Sequence, residues 1–174
     1  MSTKIEIRIG GSGGQGVVLA AQIIGKAAIL DGKNAAQTQT YGAEARGSLT
    51  VSEVIISNGK IGFPSVRKLD ILVAMTQEAL DKLLKDLKET GTLMVDDTNV
   101  ITIPETKARV HKMPFTETAR KTFGEAIYAN MVMLGTLVKI TKIVSAQSME
   151  RAIKQNVSKK TADTNIKAFR KGLI

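Results

Sequence analysis

Five glycines lie within seven residues near the start of the chain, and they separate a strand-like segment from a long apolar one. The preceding segment, "KIEIRIG", alternates apolar and polar residues, as a β-strand does. The following segment, "QGVVLAAQIIGKAAILDG", is typical of a helix that packs on a sheet and ends at Gly32. The chain is therefore expected to begin with a strand, a tight glycine loop and a helix, which is a common opening unit of α/β folds.

Within this loop, Gly11, Gly13 and Gly16 have the spacing G-x-G-x-x-G in the strand-to-helix context that the motif requires. Glycines allow backbone N–H groups to approach an anion closely, and the helix N-terminus adds a partial positive charge. The alternative is a tight turn that binds nothing, but five glycines are more than a turn requires. We predict a phosphate- or pyrophosphate-binding loop formed by Gly11, Ser12, Gly13, Gly14, Gln15 and Gly16.

The loop does not by itself predict a nicotinamide dinucleotide. A dinucleotide-binding fold normally places an Asp or Glu about 20 residues further on, at the end of the second strand, where it holds the ribose hydroxyls. The corresponding segment here is "KNAAQTQTYG", and the sequence has no acidic residue between Asp31 and Glu44. A freestanding Rossmann-type nucleotide-binding oxidoreductase is the alternative interpretation of the loop.

The middle of the chain predicts further strands and one clear helix. The segment "GSLTVSEVIISNGKIGFP" is β-rich on both sides of Asn58-Gly59, a dipeptide that favours a tight hairpin. The segments "LDILVAM", "TLMVDD" and "ARVHKM" predict three more strands. A helix is predicted from Thr76, a suitable N-cap, to Gly91, with one apolar face formed by Leu80, Leu83, Leu84 and Leu87.

The last third of the chain is predicted to be helical, over residues 116–142 with a break near Gly124, then 145–156 and 160–172. This order of elements indicates a single domain over residues 1–174, a length that allows a proper buried core. The predicted fold class is α/β and Rossmann-like. It has a mostly parallel sheet, an added β-hairpin and a helical C-terminal layer.

Composition excludes several kinds of site. The chain has no cysteine and one histidine, so it offers no thiolates to zinc or an iron–sulfur cluster, and no metal site is expected. The first residues follow a strand pattern rather than that of a signal peptide, and no apolar run approaches the length of a membrane span. We therefore expect a soluble, cytoplasmic protein without a membrane partner.

The net charge of +9 is concentrated in the C-terminal part, where nine Lys or Arg stand against two acidic residues from Ala126 onward. Such a surface can meet nucleic acid, a phosphate-bearing ligand or an acidic partner, but a solvated helical face is the commoner reason. A nucleic-acid-binding protein is the less favoured alternative. The sequence contains no recognisable reader motif, and aromatic residues make up only 3% of it.

Several segments together resemble the γ subunits of the 2-oxoacid:ferredoxin oxidoreductases. They are "GGSGGQGVVLAAQIIG", "QTQTYGAEARGS", "SEVIIS", "IGFPSVRKLDILVAM" and "QEAL". The resemblance is strongest over residues 4–80 and weaker toward the end of the chain. The combination of the glycine loop with "YGAEARG" is specific, whereas neither piece alone would be. The segment "QTQTYGAEARGS" is most similar to the separate γ subunits of 2-oxoglutarate-type enzymes, and it is almost as similar to the 2-oxoisovalerate type.

Enzymes of this family convert a 2-oxoacid and coenzyme A to acyl-CoA and carbon dioxide, and they pass electrons to ferredoxin. The resemblance implies that thiamine diphosphate, Mg²⁺ and the iron–sulfur clusters are held by the partner subunits, named α, β and ferredoxin-like δ. It implies that this chain is not catalytic by itself. The glycine loop would hold a phosphate of the nucleotide end of coenzyme A.

The segment "TQTYGAEARGS" is assigned an interface or ligand role on the same resemblance. Its small residues allow a close approach to another surface, and Tyr41, Glu44 and Arg46 are the candidate contacts. Arg46 would be able to bind a phosphate through two hydrogen bonds. Without the resemblance, a connecting loop with one exposed ion pair between Glu44 and Arg46 is equally consistent with the sequence.

Three other features are interpreted as structural. Met131 and Met133 in "NMVMLG" are predicted to pack in the core. Asp96 and Asp97 stand at a strand end and are expected to form caps or turns rather than a metal site. His111 has no recognisable nucleophile near it in sequence, so no catalytic role is assigned to it.

Overall fold

The computed structural model describes residues 3–41 and 48–174. Within these ranges, no helix is long and apolar enough to cross a membrane. The six strands described are β1 (Lys4–Ser12), β2 (Asn34–Tyr41), β3 (Leu49–Ser57), β4 (Leu69–Ala74), β5 (Leu87–Asp96) and β6 (Arg109–Met113). The α-helices described are α1 (Val17–Leu30), α2 (Gln77–Leu83), α3 (Phe115–Phe123), α4 (Ala129–Thr141), α5 (Ala146–Asn156) and α6 (Ala162–Leu173).

The strands form one sheet in the order β2-β3-β1-β4-β5-β6. β1, β4, β5 and β6 are parallel neighbours. β3 is antiparallel to both β1 and β2, so β2 runs in the same direction as β1. Only β3 among these strands is reversed, and the predicted α/β fold with a mostly parallel sheet is confirmed.

The antiparallel hairpin is present, but at a different position from the predicted one. It is formed by β2 and β3, whereas residues 58–68 lead from β3 to β4 without forming a strand. The prediction around Asn58-Gly59 was wrong because β3 already pairs with β2 on one side and with β1 on the other. No edge of β3 was left for a returning strand.

The helix predicted to end at Gly91 is much shorter. Thr76 is its N-cap as expected, but α2 ends at Leu83, and β5 begins at Leu87 after one 3₁₀ turn. Leu87 continues the helical spacing of the leucines, yet it pairs with Leu69 of β4. The apolar pattern suited both structures, and the pairing of β5 with β4 and β6 decided between them.

Alternate residues of β1 face two separate apolar cores. Ile7 and Ile9 are fully buried in the larger core, together with α1 and α3–α6. Gly10 faces the smaller core, where its missing side chain makes room for α2: a β carbon on Gly10 would lie 2.5 Å from Leu83 Cδ1. Helices α1 and α2 therefore cover opposite faces of the sheet.

Helices α4 and α6 of the larger core approach each other at a pair of glycines. A β carbon on Gly135 would overlap the carbonyl oxygen of Phe169 and lie 2.8 Å from Gly172 Cα. A β carbon on Gly172 would overlap the carbonyl oxygen of Val132. Thr136 Oγ1 also donates a hydrogen bond to the Gly172 carbonyl oxygen at 3.2 Å. The two glycines therefore set the distance between these helices.

Asp31 connects the end of α1 to the start of α5. Its carboxylate accepts hydrogen bonds from the Ser145 N–H at 2.6 Å, from Ser145 Oγ at 2.7 Å and from Ser148 Oγ at 2.6 Å. Partial burial by itself raises the pKa of Asp31, but the hydrogen bonds from both serines and the charge of Lys33 outweigh it and lower the pKa overall.

Replacing Asp31 with Asn is expected to lower the free energy of unfolding by about 1–2 kcal/mol near neutral pH, because the amide cannot accept all three bonds. Since the pKa of Asp31 is lower in the folded chain, its stabilisation is complete above the unfolded value of about 3.9 and is lost as pH falls through the folded value. Urea unfolding should therefore show parent and variant converging in acid. The control is Asp97→Asn at an exposed carboxylate. An equal loss in both variants would contradict the role of Asp31.

Candidate functional site

The glycine loop lies at the carboxyl end of β1, where the sheet changes the side on which its helices pack. α1 follows β1 onto one face, and α2 follows the neighbouring strand β4 onto the other. The chain segments leaving these two strands therefore diverge and leave a crevice beyond the strand ends. Ligands of open α/β sheets bind in such crevices. The sequence predicted only that the loop lies between the first strand and the first helix, which the structure confirms.

The loop is open to the outside at its centre. Gly14 and Gly16 have φ values of 89° and 71°, in the left-handed region that favours glycine. A β carbon on Gly13 or Gly14 would meet no atom within 4 Å. Gly13 and Gly14 therefore leave space in front of the loop, which a ligand is able to enter.

The backbone N–H groups of the loop are only partly used by the protein itself. The Gly13 N–H donates to the Ser48 carbonyl oxygen at 3.3 Å, and the Gln15 N–H donates to that of Ser12 at 3.2 Å. Within residues 3–41 and 48–174, no acceptor pairs with the N–H groups of Gly14, Gly16 or Val17. α1 also has no acidic residue in its first turn. Free donors at a helix N-terminus without a nearby acid are suited to an anion.

Gln15 and Gly11 stabilise the loop from within. Gln15 Oε1 accepts a hydrogen bond from the Ser12 N–H at 2.8 Å, and Gln15 Nε2 donates to the Met75 carbonyl oxygen at 3.4 Å. A β carbon on Gly11 would lie 2.5 Å from Gln15 Oε1. Among the six residues predicted to form the phosphate-binding loop, Gln15 therefore has its side chain bonded within the protein and Gly11 has no room for one, whereas Gly13 and Gly14 are open.

Asn130 is part of this site, and the sequence analysis did not identify it. Its side chain is 4% exposed at the start of α4, and Nδ2 donates to the Gly16 carbonyl oxygen at 3.3 Å. Any β carbon on Gly16 would overlap that amide nitrogen. Oδ1 has no partner among the described residues. A lone polar residue in the apolar run "ANMVMLG" was the available signal, because buried amides normally have a specific partner.

The segment "TQTYGAEARGS" is only partly described. Tyr41 ends β2 opposite Thr50 and is 60% exposed. Glu44 and Arg46 lie outside the described residues. The end of the segment does reach the loop, because Ser48 accepts the hydrogen bond from Gly13.

The strand order argues further against the dinucleotide alternative. In a dinucleotide-binding sheet, the second strand lies beside the first and presents its acidic residue to the ribose. Here β3 separates β2 from β1, and β3 runs in the opposite direction. The end of β2 is therefore one strand removed from the glycine loop, in addition to lacking an acidic residue.

Among the features interpreted as structural, Asp96, Met131 and Met133 have structural roles. Asp96 is fully buried and accepts hydrogen bonds from the N–H groups of Thr98 and Thr116 and from Asn99 Nδ2. Met131 and Met133 are buried in the larger core, as predicted. In the two ranges that the structure describes, no three His, Cys, Asp or Glu side chains form a group able to hold a metal ion.

The basic residues of the C-terminal part lie mainly on the outer surface of α5, of α6 and of the turn between them. Arg170 forms an ion pair with Glu150 at 2.6 Å, which lowers the pKa of Glu150. The other exposed cations of α5, α6 and the turn between them are Arg151, Lys154, Lys159, Lys160, Lys167 and Lys171. This is the arrangement of a solvated helical face.

The fold and the site together define an α/β protein with an open glycine loop at the switch point of its sheet. The family model for pyruvate ferredoxin/flavodoxin oxidoreductases matches residues 6–173, and the chain belongs to that family. It is 50% identical over 170 residues to the 2-oxoglutarate synthase subunit KorC of Methanocaldococcus jannaschii, an alignment that covers 96% of this chain and 91% of that protein.

Two solved structures share the fold. The keto/oxoacid ferredoxin oxidoreductase γ subunit of Geobacter sulfurreducens is 43% identical with a TM-score of 0.86, covering 97% of this chain and 95% of that one. The 2-oxoglutarate:ferredoxin oxidoreductase of Magnetococcus marinus, with 2-oxoglutarate, coenzyme A and succinyl-CoA bound, is 22% identical with a TM-score of 0.88. The match covers 98% of this chain and 30% of that one. The resemblance to γ subunits is confirmed, and the chain is a γ-type subunit of a multi-subunit 2-oxoacid:ferredoxin oxidoreductase.

Proposed function

We propose that this chain is the γ subunit of a cytoplasmic 2-oxoglutarate:ferredoxin oxidoreductase and that its glycine loop holds a phosphate of coenzyme A. The observation that carries the proposal is that the N–H groups of Gly14, Gly16 and Val17 have no acceptor among the described residues, beside open space at Gly13 and Gly14. The similarity to a 2-oxoglutarate synthase subunit supports the choice of substrate. The coenzyme A bound to the enzyme from Magnetococcus marinus supports the choice of ligand.

In this proposal the chain binds and orients coenzyme A, and the partner subunits catalyse the reaction. Coenzyme A supplies the thiol that accepts the acyl group. The N–H groups of the loop and the positive end of α1 fix the nucleotide end through a phosphate. Asn130 Nδ2 donates a hydrogen bond to the Gly16 carbonyl oxygen at the start of α1. The chain has no cysteine for an iron–sulfur cluster, so electrons would pass through partner subunits. We assign thiamine diphosphate, Mg²⁺ and the clusters to α, β and ferredoxin-like δ subunits, with ferredoxin as the electron acceptor.

The proposal is tested by purifying the affinity-tagged chain from its own cells. We expect thiamine- and cluster-bearing subunits to accompany it, together with dye reduction that requires both coenzyme A and 2-oxoglutarate. Pyruvate and a branched 2-oxoacid, assayed in parallel, identify the substrate. Recovery of the chain alone or with nucleic acid, without this activity, would overturn the proposal.

A further inference from the structure

The outer edge of β2 lacks the features that usually protect a sheet edge. β2 is the last strand on its side of the sheet, and its eight residues, "NAAQTQTY", include no charged residue and no proline. Its register with β3 is continuous from Asn34 to Tyr41, without a bulge. Natural edge strands normally carry charges, proline or bulges, which prevent pairing with another chain. β6 at the opposite edge follows this rule, since "RVHKM" contains two basic residues and a histidine.

A groove of about 660 Å³ crosses the edge of β2 at its amino end. Ala35 and Ala36 of β2 line it, and both are small, half-buried residues. Its apolar walls are Ile29, Ile61 and Pro64, and the side chain of Ile29 is 55% exposed. An exposed apolar groove beside an open strand edge is suited to an added strand that buries one apolar side chain.

The charged residues that line this groove are both lysines, Lys33 and Lys60. Lys60 is exposed and has no acidic partner in the described part of the chain. Lys33 Nζ donates one hydrogen bond, to the Ile143 carbonyl oxygen at 2.6 Å, and its ammonium group has further donors. The groove is therefore complementary to an apolar side chain with an acidic neighbour.

We propose that β2 receives an extended segment of a partner subunit of the oxidoreductase complex. The segment pairs with the outer edge of β2, places an apolar side chain in the groove and brings an acidic side chain to Lys33 and Lys60. Pairing along all eight residues would span about 26 Å at the usual rise of a strand. A second copy of this chain does not fit, because its β2 would bring no acidic residue to Lys33 and Lys60 and would join two chains of net charge +9.

Hydrogen–deuterium exchange of the purified complex and of the isolated chain tests the pairing. The outward N–H groups of residues 34–41 should exchange at least about tenfold more slowly in the complex, because strand pairing buries and bonds them. Equal exchange in the two samples would overturn the proposal. Protection in the isolated chain that rises with its concentration would also overturn it, since a second copy would then be the occupant.

The acidic part of the proposal is tested by charge reversal. Lys60→Glu should reduce the fraction of complex that retains this chain during purification and should remove the protection of residues 34–41. The matched control, Lys159→Glu, changes the net charge equally at an exposed residue beyond the end of α5 and should do neither. If both variants behave alike, recognition of an acidic side chain at the groove is wrong.

Discussion

Replacing Gly135 with Ala is expected to lower the free energy of unfolding by about 3 kcal/mol or more, at the upper end of overpacking effects. The new methyl group would overlap the backbone carbonyl oxygen of Phe169, and a backbone cannot move aside as a flexible side chain can. α4 and α6 would have to separate along the contact that Gly135 and Gly172 now form. Urea unfolding followed by circular dichroism measures the loss.

Gly25→Ala is the matched control for that experiment. Gly25 is also buried inside a helix, but a β carbon there would have Ala35 as its nearest neighbour at 3.9 Å, which is ordinary contact. Alanine should therefore stabilise α1 by up to about 1 kcal/mol through its higher helix propensity. A Gly135→Ala variant as stable as the parent would show that the distance between α4 and α6 is not fixed by these glycines.

Gly13→Val is expected to raise the KM for coenzyme A of the assembled complex about tenfold or more, equivalent to about 1.4 kcal/mol or more of lost binding. The isopropyl group would occupy the open space in front of the loop, where the proposed phosphate meets the N–H groups of Gly14 and Gly16. Losing one hydrogen bond to a charged group has an effect of this size. The measurement is steady-state dye reduction at varied coenzyme A.

Two controls separate ligand binding from damage to the fold. Since a β carbon on Gly13 meets no atom within 4 Å and its φ is not positive, the free energy of unfolding should change by less than about 0.5 kcal/mol. Gly14 is less suitable, because any side chain there is strained at φ 89°. The rate of carbon dioxide release in the absence of coenzyme A should fall less than the rate of the complete reaction. An equal loss of both activities would assign the loop a purely architectural role.

The parts of the fold that depend on local pattern were predicted correctly from the sequence. The glycine loop lies between β1 and α1 as expected, and the break near Gly124 separates α3 from α4. The errors concern pairing between distant segments. The returning strand predicted after Asn58-Gly59 has no free strand edge to join, and Leu87 suits either a helix or β5. A single sequence shows the conformational preference of each segment, but not whether a neighbouring strand has a free edge with which it can pair.

In the candidate site too, the features set by local sequence were predicted, and the contacts between distant segments were not. The loop itself was found from its glycine spacing, because backbone conformation demands glycine at Gly14 and Gly16. Asn130 was missed because it lies 114 residues from Gly16 in the chain, and only the packing of α4 against the start of α1 brings them together. Gln15 was predicted as part of the phosphate-binding loop, and the structure adds that its side chain bonds to the Ser12 N–H and the Met75 carbonyl oxygen.

The contact between α4 and α6 also determines when folding of the larger core can be completed. α6 is synthesised after every other element that the structure describes, yet Ala168 and Phe169 lie fully inside the larger core. A nascent chain that still lacks α6 would expose the face of α4 around Gly135 and would be prone to aggregate. Folding of the larger core is therefore completed only once α6 has left the ribosome.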